Sequence, residues 1–258
     1  MPIATLRSRI REALLYKPER APLVAMLEEI RKEFDSVDGT GTATIIPPYV
    51  GDGLADLIER ERLARCLEIG MATGSSAAYM LSAVSKLPSE GRVTSIDRAQ
   101  TTHYRSIGLT AVAKTKLGHL HRLIENDSIV ALFELWRAGE QFDLVYMDGW
   151  KTFDHLAAEL YFVVRLLAKN GVIVFDDHHM PSVQRAAAMV RGHYRMVEVD
   201  VVPKGARPQL AALALQDASH LRIAQARSTL RASTYALRKT EAIDGLPLSS
   251  DWNFYSPF

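Results

Sequence analysis

The sequence predicts an α/β protein built on one mostly parallel sheet, and three observations carry the prediction. Short apolar runs alternate with longer stretches of helical periodicity, which is how strands joined by crossover helices read in sequence. A glycine-containing turn, Gly70 to Gly74, leads from the first of these runs into a helical pattern. The last two runs are separated by PKGARP, a turn-rich connection of hairpin type. At 258 residues, 48% of them hydrophobic and 24% charged, the chain can bury a substantial core in one large domain or two small ones.

The elements follow in order. Residues 5–16 and 21–34 carry Leu6, Ile10 and Leu14, then Leu23, Leu27 and Ile30, at helical spacing, with the breakers Pro18 and Pro22 between them. They form a helical preface over 1–44 that hands over to the main domain at the loop DGTGTAT, Asp38 to Thr44. Five strands are expected at Arg65–Gly70, Arg92–Asp97, Leu120–Glu125, Phe142–Asp148 and Gly171–Asp177, with helices between them such as Ser76–Leu87 and Phe153–Ala168. Tyr194–Val202 and Gln209–Leu215 complete a seven-stranded, Rossmann-like sheet with helices on both faces and an antiparallel last strand. The main domain spans 45–216. Residues 217–238 read as one more helix, and the tail with Trp252, Phe254, Tyr255 and Phe258 is expected to pack on its own domain or on a sister subunit in a homodimer.

Composition narrows the partners. Thirty-one Lys plus Arg against 30 Asp plus Glu argue against a strongly basic protein that coats nucleic acid or an anionic membrane. A single cysteine, Cys66, excludes an intramolecular disulfide framework and any multi-cysteine zinc site. The amino terminus never runs apolar long enough for a signal-peptide core, and no stretch approaches the length of a membrane span. A cytoplasmic protein with no membrane partner is the expectation.

The strand ends carry the chemistry. In Leu67 to Ser76, LEIGMATGSS, glycines permit a tight turn whose backbone N–H groups face a ligand at a helix start. Ala72 replaces the middle glycine of the dinucleotide fingerprint, and Glu68 sits just before the turn, where a carboxylate suits a cationic ligand better than a pyrophosphate. Asp97 closes the second strand 23 residues after Gly74, close to the spacing at which an acidic residue meets ribose hydroxyls. Asp127 and Ser128 follow the third strand, either reaching an adenine ring or simply capping the next helix. Asp148 ends the fourth strand and Asp176 with Asp177 ends the fifth. Three converging carboxylates repel unless a cation holds them, and an oxygen-only set suits Mg²⁺, although His178 and His179 follow at once and keep softer ions in play. Lys151, three residues after Asp148, is a candidate base, with His155 one helical turn on as the reserve. Trp150 is either a pocket wall or a core aromatic.

These residues resemble the class I S-adenosylmethionine-dependent methyltransferases, and within them the metal-dependent O-methyltransferases that include the catechol and caffeoyl-CoA enzymes, over residues 45–215. The resemblance implies that Glu68 and the turn Gly70, Ala72, Gly74 surround the methionine part of the cofactor, with Ser75 in the same turn and Ser76 near its carboxylate. It implies Asp97 as the ribose ligand and Asp127 with Ser128 as the adenine contact. Asp148-Gly149-Trp150-Lys151 is similar to the catechol enzyme's series of metal-binding Asp, Trp gate and catalytic Lys, and Asp148 counts with the cofactor-binding set as well as with the metal. Asp176 and Asp177 fall where that family has its other protein metal ligands. The usual pair there is Asp-Asn, so Asp177 adds a negative charge.

The implied activity is methyl transfer from S-adenosylmethionine to a small hydroxylated acceptor, catechol-like or a natural product, with Mg²⁺ as metal and Lys151 as base. No acidic residue matches one that would grip a second catechol hydroxyl, so the acceptor itself does not carry over. Two other readings are methylation of a hydroxylated tRNA nucleoside, for which Arg7, Arg9, Arg11, Lys17 and Arg20 could contact phosphates, and a catalytically silent cofactor-binding scaffold.

Overall fold

The computed structural model describes residues 18–38, 45–201 and 234–240. A single 3₁₀ turn, Pro18–Arg20, leads into helix α1, Ala21–Asp38. Then come α2 (Pro48–Glu61), β1 (Arg65–Ile69), α3 (Ser75–Val84), β2 (Arg92–Ile96), α4 (Ile107–Lys114), β3 (His121–Ile124), α5 (Ser128–Arg137) and β4 (Phe142–Met147). The series ends with α6 (Phe153–Leu166), β5 (Leu167–Phe175), α7 (Pro181–His193), β6 (Val197–Val199) and β7 (Tyr235–Arg238).

The seven strands form one sheet in the order β3-β2-β1-β4-β5-β7-β6. All neighbours from β3 to β5 pair in parallel, and β7 runs antiparallel to both β5 and β6. The strand order reverses between β1 and β4, and in open α/β sheets ligands bind at such a switch point, beyond the carboxyl ends of the strands.

Strand periodicity divides the core in two. Cys66, Leu144, Tyr146, Val172 and Val174 face one side and pack with Leu54, Leu57 and Ile58 of α2 and Tyr79 and Met80 of α3. Their neighbours Leu67, Ile69, Val145, Met147, Ile173 and Phe175 face the other and pack with Leu132 of α5, Leu160 and Val163 of α6 and Val183 of α7. Burial on both faces explains why these strands read as continuous apolar runs. Helix α1 lays Ile30 and Phe34 against Ile107 and Ala111 of α4.

Two sequence expectations are corrected. Tyr235–Arg238, read as the end of a helix over 217–238, is a strand inserted between β5 and β6. Ala236 and Leu237 are wholly buried on opposite faces, so sheet pairing on both edges overrides local propensity. Arg20, grouped with the residues that could contact phosphates, is 3% exposed and locked to Asp52 (3.1 Å), Asp56 (3.0 Å) and Glu59 (2.9 Å). Its guanidinium is consumed inside the fold. The helix at 5–16, the strand at Gln209–Leu215 and the aromatic tail lie outside the described residues. Among the described residues, no helix is long and apolar enough to cross a membrane.

Candidate active site

Strand β1 ends at Ile69, and the chain turns through Gly70 (φ +88°), Ala72 (φ +47°) and Gly74 (φ +78°) into α3. Gly70 is required twice over: its backbone is left-handed, and a Cβ there would lie 2.5 Å from the Asp148 carbonyl oxygen. This close approach sets the glycine turn against the end of β4.

Asp97, at the end of β2, holds the turn in place. Its Oδ2 accepts the backbone N–H groups of Met71 (3.0 Å) and Ala72 (2.8 Å), and its Oδ1 accepts that of Ala99 (2.8 Å). Gln100 Nε2 donates to the Ala72 carbonyl at 2.7 Å and to Asp97 Oδ2 at 3.3 Å. No sequence signal singled out Gln100, because its role depends on a turn 28 residues away.

A cavity of about 750 Å³ opens over these strand ends. Its wall brings together Gly70, Ala72, Asp97, Asp127, Ser128, Asp148, Lys151, His155 and Asp177. Trp150 also lines it and is 67% exposed, so it is a rim residue and not a core aromatic. Asp127 additionally caps α5, its Oδ1 accepting from the N–H groups of Ile129 (3.0 Å) and Val130 (3.4 Å).

Five residues predicted to meet a ligand do not line this cavity: Asp176, behind Asp148 and Asp177, and four around the glycine turn. Glu68 is wholly buried, with its carboxylate accepting the Ser76 hydroxyl on one oxygen and the Ser95 hydroxyl, at 2.6 Å, on the other. Burial pushes its pKa up to about 8 against the pull of the two hydroxyl donors. Ser76 is spent on Glu68, and the Ser75 hydroxyl oxygen accepts the Ile46 N–H at 3.1 Å. Gly74 packs so closely that a Cβ would meet the Gly108 carbonyl oxygen at 2.7 Å. These four brace the turn from behind.

Asp148, Asp176 and Asp177 each offer a carboxylate oxygen within 4.8 Å of the others. Burial, then the charges of Asp148 and Asp177, push the Asp176 pKa up to about 7. Asp148 is also raised, mainly by burial. Lys151 Nζ lies 2.9 Å from Asp148 Oδ1 and 3.6 Å from Asp177 Oδ2. Burial lowers the pKa of this ammonium, but the carboxylates of Asp148, Asp177 and Asp176 more than offset that and raise it above the ordinary lysine value. In the fold its neighbours are anionic.

A second polar cluster stands at the same wall. Ser128 Oγ donates to Glu159 Oε1 at 2.6 Å, and His155 Nε2 lies 3.0 Å from Ser128 Oγ and 3.1 Å from Glu159 Oε1. Glu159 is 1% exposed, and burial raises its pKa. Sequence reasoning missed it because an acid within an amphipathic helix reads as solvated; its single clue is the i, i+4 spacing from His155.

Residues 67–178, which carry nearly all of these features, match the family model described as a methyltransferase domain. Over this stretch the chain is similar to methyltransferase domains. The solved structures similar to it share its architecture, the class I methyltransferase fold. An O-methyltransferase from Bacillus cereus, solved in complex with SAH, is 17% identical with a TM-score of 0.59, covering 76% of this chain and 89% of that one. The O-methyltransferase TomG from Streptomyces achromogenes, solved in complex with SAM, is 21% identical with a TM-score of 0.57, covering 72% and 84%. The SAH-bound methyltransferase PaMTH1 from Podospora anserina is 17% identical with a TM-score of 0.59, covering 77% and 92%. No curated protein matches this chain significantly in sequence.

Proposed function

We propose that this methyltransferase-domain protein is an S-adenosylmethionine-dependent, divalent-metal-dependent O-methyltransferase acting on a small hydroxylated acceptor, catechol-like or a natural product. The observation that carries the reading is the meeting, in one cavity, of the Asp97-braced glycine turn with the carboxylates at the ends of β4 and β5. The names of the Bacillus cereus and Streptomyces achromogenes proteins, both O-methyltransferases, support it.

S-adenosylmethionine, when bound, supplies a methyl group on a cationic sulfur. Gly70, Ala72 and Asp97 on one wall, with Asp127 and Ser128 on another, are the residues that would hold it. The donor set of Asp148, Asp176 and Asp177 fits a hard divalent cation: all three atoms are carboxylate oxygens, and burial, then the charges of Asp148 and Asp177, raise the Asp176 pKa, which a bound cation would oppose. Such a cation supplies Lewis acidity, which makes an acceptor hydroxyl more acidic. Lys151 holds a positive charge at the same carboxylates, and the exposed Trp150 forms the cavity's outer edge.

The test is calorimetric titration of S-adenosylmethionine with and without Mg²⁺, followed by a catechol panel with a mass readout. Cofactor binding and a metal-dependent methyl gain, abolished in Asp176→Ala, is the expected result. Absence of cofactor binding overturns the reading. Binding without transfer to any catechol refutes the catechol-like acceptor.

The nucleoside reading gains nothing from the fold. Arg20 is buried and ion-paired, and Arg7, Arg9, Arg11 and Lys17 lie outside the described residues.

A further inference from the structure

Ser128, His155 and Glu159 form a closed hydrogen-bonded triangle whose proton positions follow from donor counting. With Glu159 in its carboxylate form, the single hydroxyl hydrogen of Ser128 goes to Glu159 Oε1 at 2.6 Å, so toward His155 its oxygen can only accept. His155 Nε2 lies within reach of that oxygen and of Glu159 Oε1, two acceptors, and therefore carries a hydrogen. The neutral imidazole then has its lone pair on Nδ1. Nδ1 has no hydrogen-bond partner among the described residues, and it is absent from the buried, unpartnered side-chain atoms, so it is open to solvent; the ring itself lines the cavity. Glu159 stands behind this wall. A Cβ on the cavity-lining Gly149 would lie 3.6 Å from its Oε1, while its Oε2 is buried without a partner.

We propose that Glu159 and Ser128 are positioning residues that orient His155, and that His155 Nδ1 is the proton acceptor of the methyl-transfer reaction. The proposal rests on the O-methyltransferase reading above. The acceptor's O–H bond breaks and its proton passes to Nδ1, while the oxygen's electron pair forms the new bond to the methyl carbon. The carbon–sulfur bond breaks with its electron pair remaining on sulfur, which becomes a neutral thioether. The resulting imidazolium is balanced by the Glu159 carboxylate. The charged groups facing the ring are Glu159 and Asp154 on its own helix; Lys151, just before that helix, acts on Glu159, and α5 contributes the neutral Ser128.

The experiment has two arms on the full chain. Nitrogen NMR of histidine-labelled protein, with the His155 signal assigned by its loss in His155→Gln, reads the tautomer without any turnover. Hydrogen on Nε2 and a bare Nδ1 are expected; hydrogen on Nδ1 overturns the proposal. The second arm measures kcat against pH with S-adenosylmethionine, Mg²⁺ and 3,4-dihydroxybenzoate, together with cofactor Kd. His155→Gln should lower kcat about 100-fold and change the pH profile, and Glu159→Gln should lower kcat by about 10-fold or more, each with a larger change in kcat than in cofactor Kd. An unchanged kcat and pH profile in His155→Gln overturns the assignment. If the parent protein transfers no methyl group, the O-methyltransferase reading for that acceptor fails, and the tautomer still decides whether Glu159 orients His155.

Discussion

Lys151 Nζ forms a 2.9 Å ion pair with Asp148 Oδ1, and through it the loop after β4 carries the counter-cation for the carboxylates of two strands. Removing that ammonium leaves mutually repelling acids. Lys151→Met should therefore cost about 1–3 kcal/mol of stability. Mg²⁺ should restore more of it in the variant than in the parent, as thermal unfolding with and without the ion would show. Equal Mg²⁺ effects in both would mean that Lys151 and the cation do not share the carboxylates.

Turnover of Lys151→Ala should fall while cofactor affinity stays within about twofold, because the residue lies at the carboxylates and not at the glycine turn. Steady-state kinetics alongside calorimetry separates the two effects. A proportionate loss of cofactor binding would move Lys151 to the cofactor's side of the cavity.

Stability should depend on pH through Glu68. Its folded pKa, about 8, lies above the ordinary carboxylate value of 4.5, so between these values the native state binds more protons than the unfolded chain. Stability then falls as pH rises through that window. His121 acts oppositely, since burial lowers its pKa from 6.5 to about 4 and adds stability as pH rises between those values. Asp176, raised to about 7, declines in the same direction as Glu68, so the Glu68 contribution is read above pH 7, where Glu68→Gln should flatten the decline seen by denaturant titration. A variant that declines as steeply as the parent would show that Glu68 is ionised in the fold.

The glycine turn depends on Asp97, whose carboxylate accepts the backbone N–H groups of Met71 and Ala72. Asp97→Ala should lower S-adenosylmethionine affinity by about 10- to 100-fold, with Asp97→Asn losing less because its amide oxygen still accepts. Calorimetry gives both values. Equal affinities across the three proteins would remove Asp97 from the cofactor site.

Gly70→Ala combines a left-handed backbone with a Cβ 2.5 Å from the Asp148 carbonyl oxygen, and that contact is with backbone, which cannot swing aside. A loss of about 2 kcal/mol or more in denaturant unfolding is expected. A cost near that of an ordinary surface substitution would mean that the β1 and β4 loops separate freely.

The sites legible in the sequence are those marked by strand endings. Asp97, Asp148 and Asp177 each follow an apolar run, and parallel strands deliver such positions to one edge of the sheet. Glu68 misled for the same reason: it lies in a run that enters a ligand-binding turn, but period-two alternation aims its side chain into the core, where Ser76 and Ser95 receive it. Glu159 and Gln100 were invisible because their roles are defined by partners, Ser128 and Ala72, that lie 31 and 28 residues away.

The sequence by itself determined the α/β class, the order of strand and helix through β5, and the set of acidic strand ends, because hydrophobic periodicity and turn chemistry are local properties of the chain. Tertiary structure alone decided which strand fills the gap between β5 and β6, which of the acidic residues face the cavity, and the charge environment of Lys151 and His155. Those depend on packing and on electric fields from residues distant in sequence. Burial and neighbouring charge exist only once the strands are side by side.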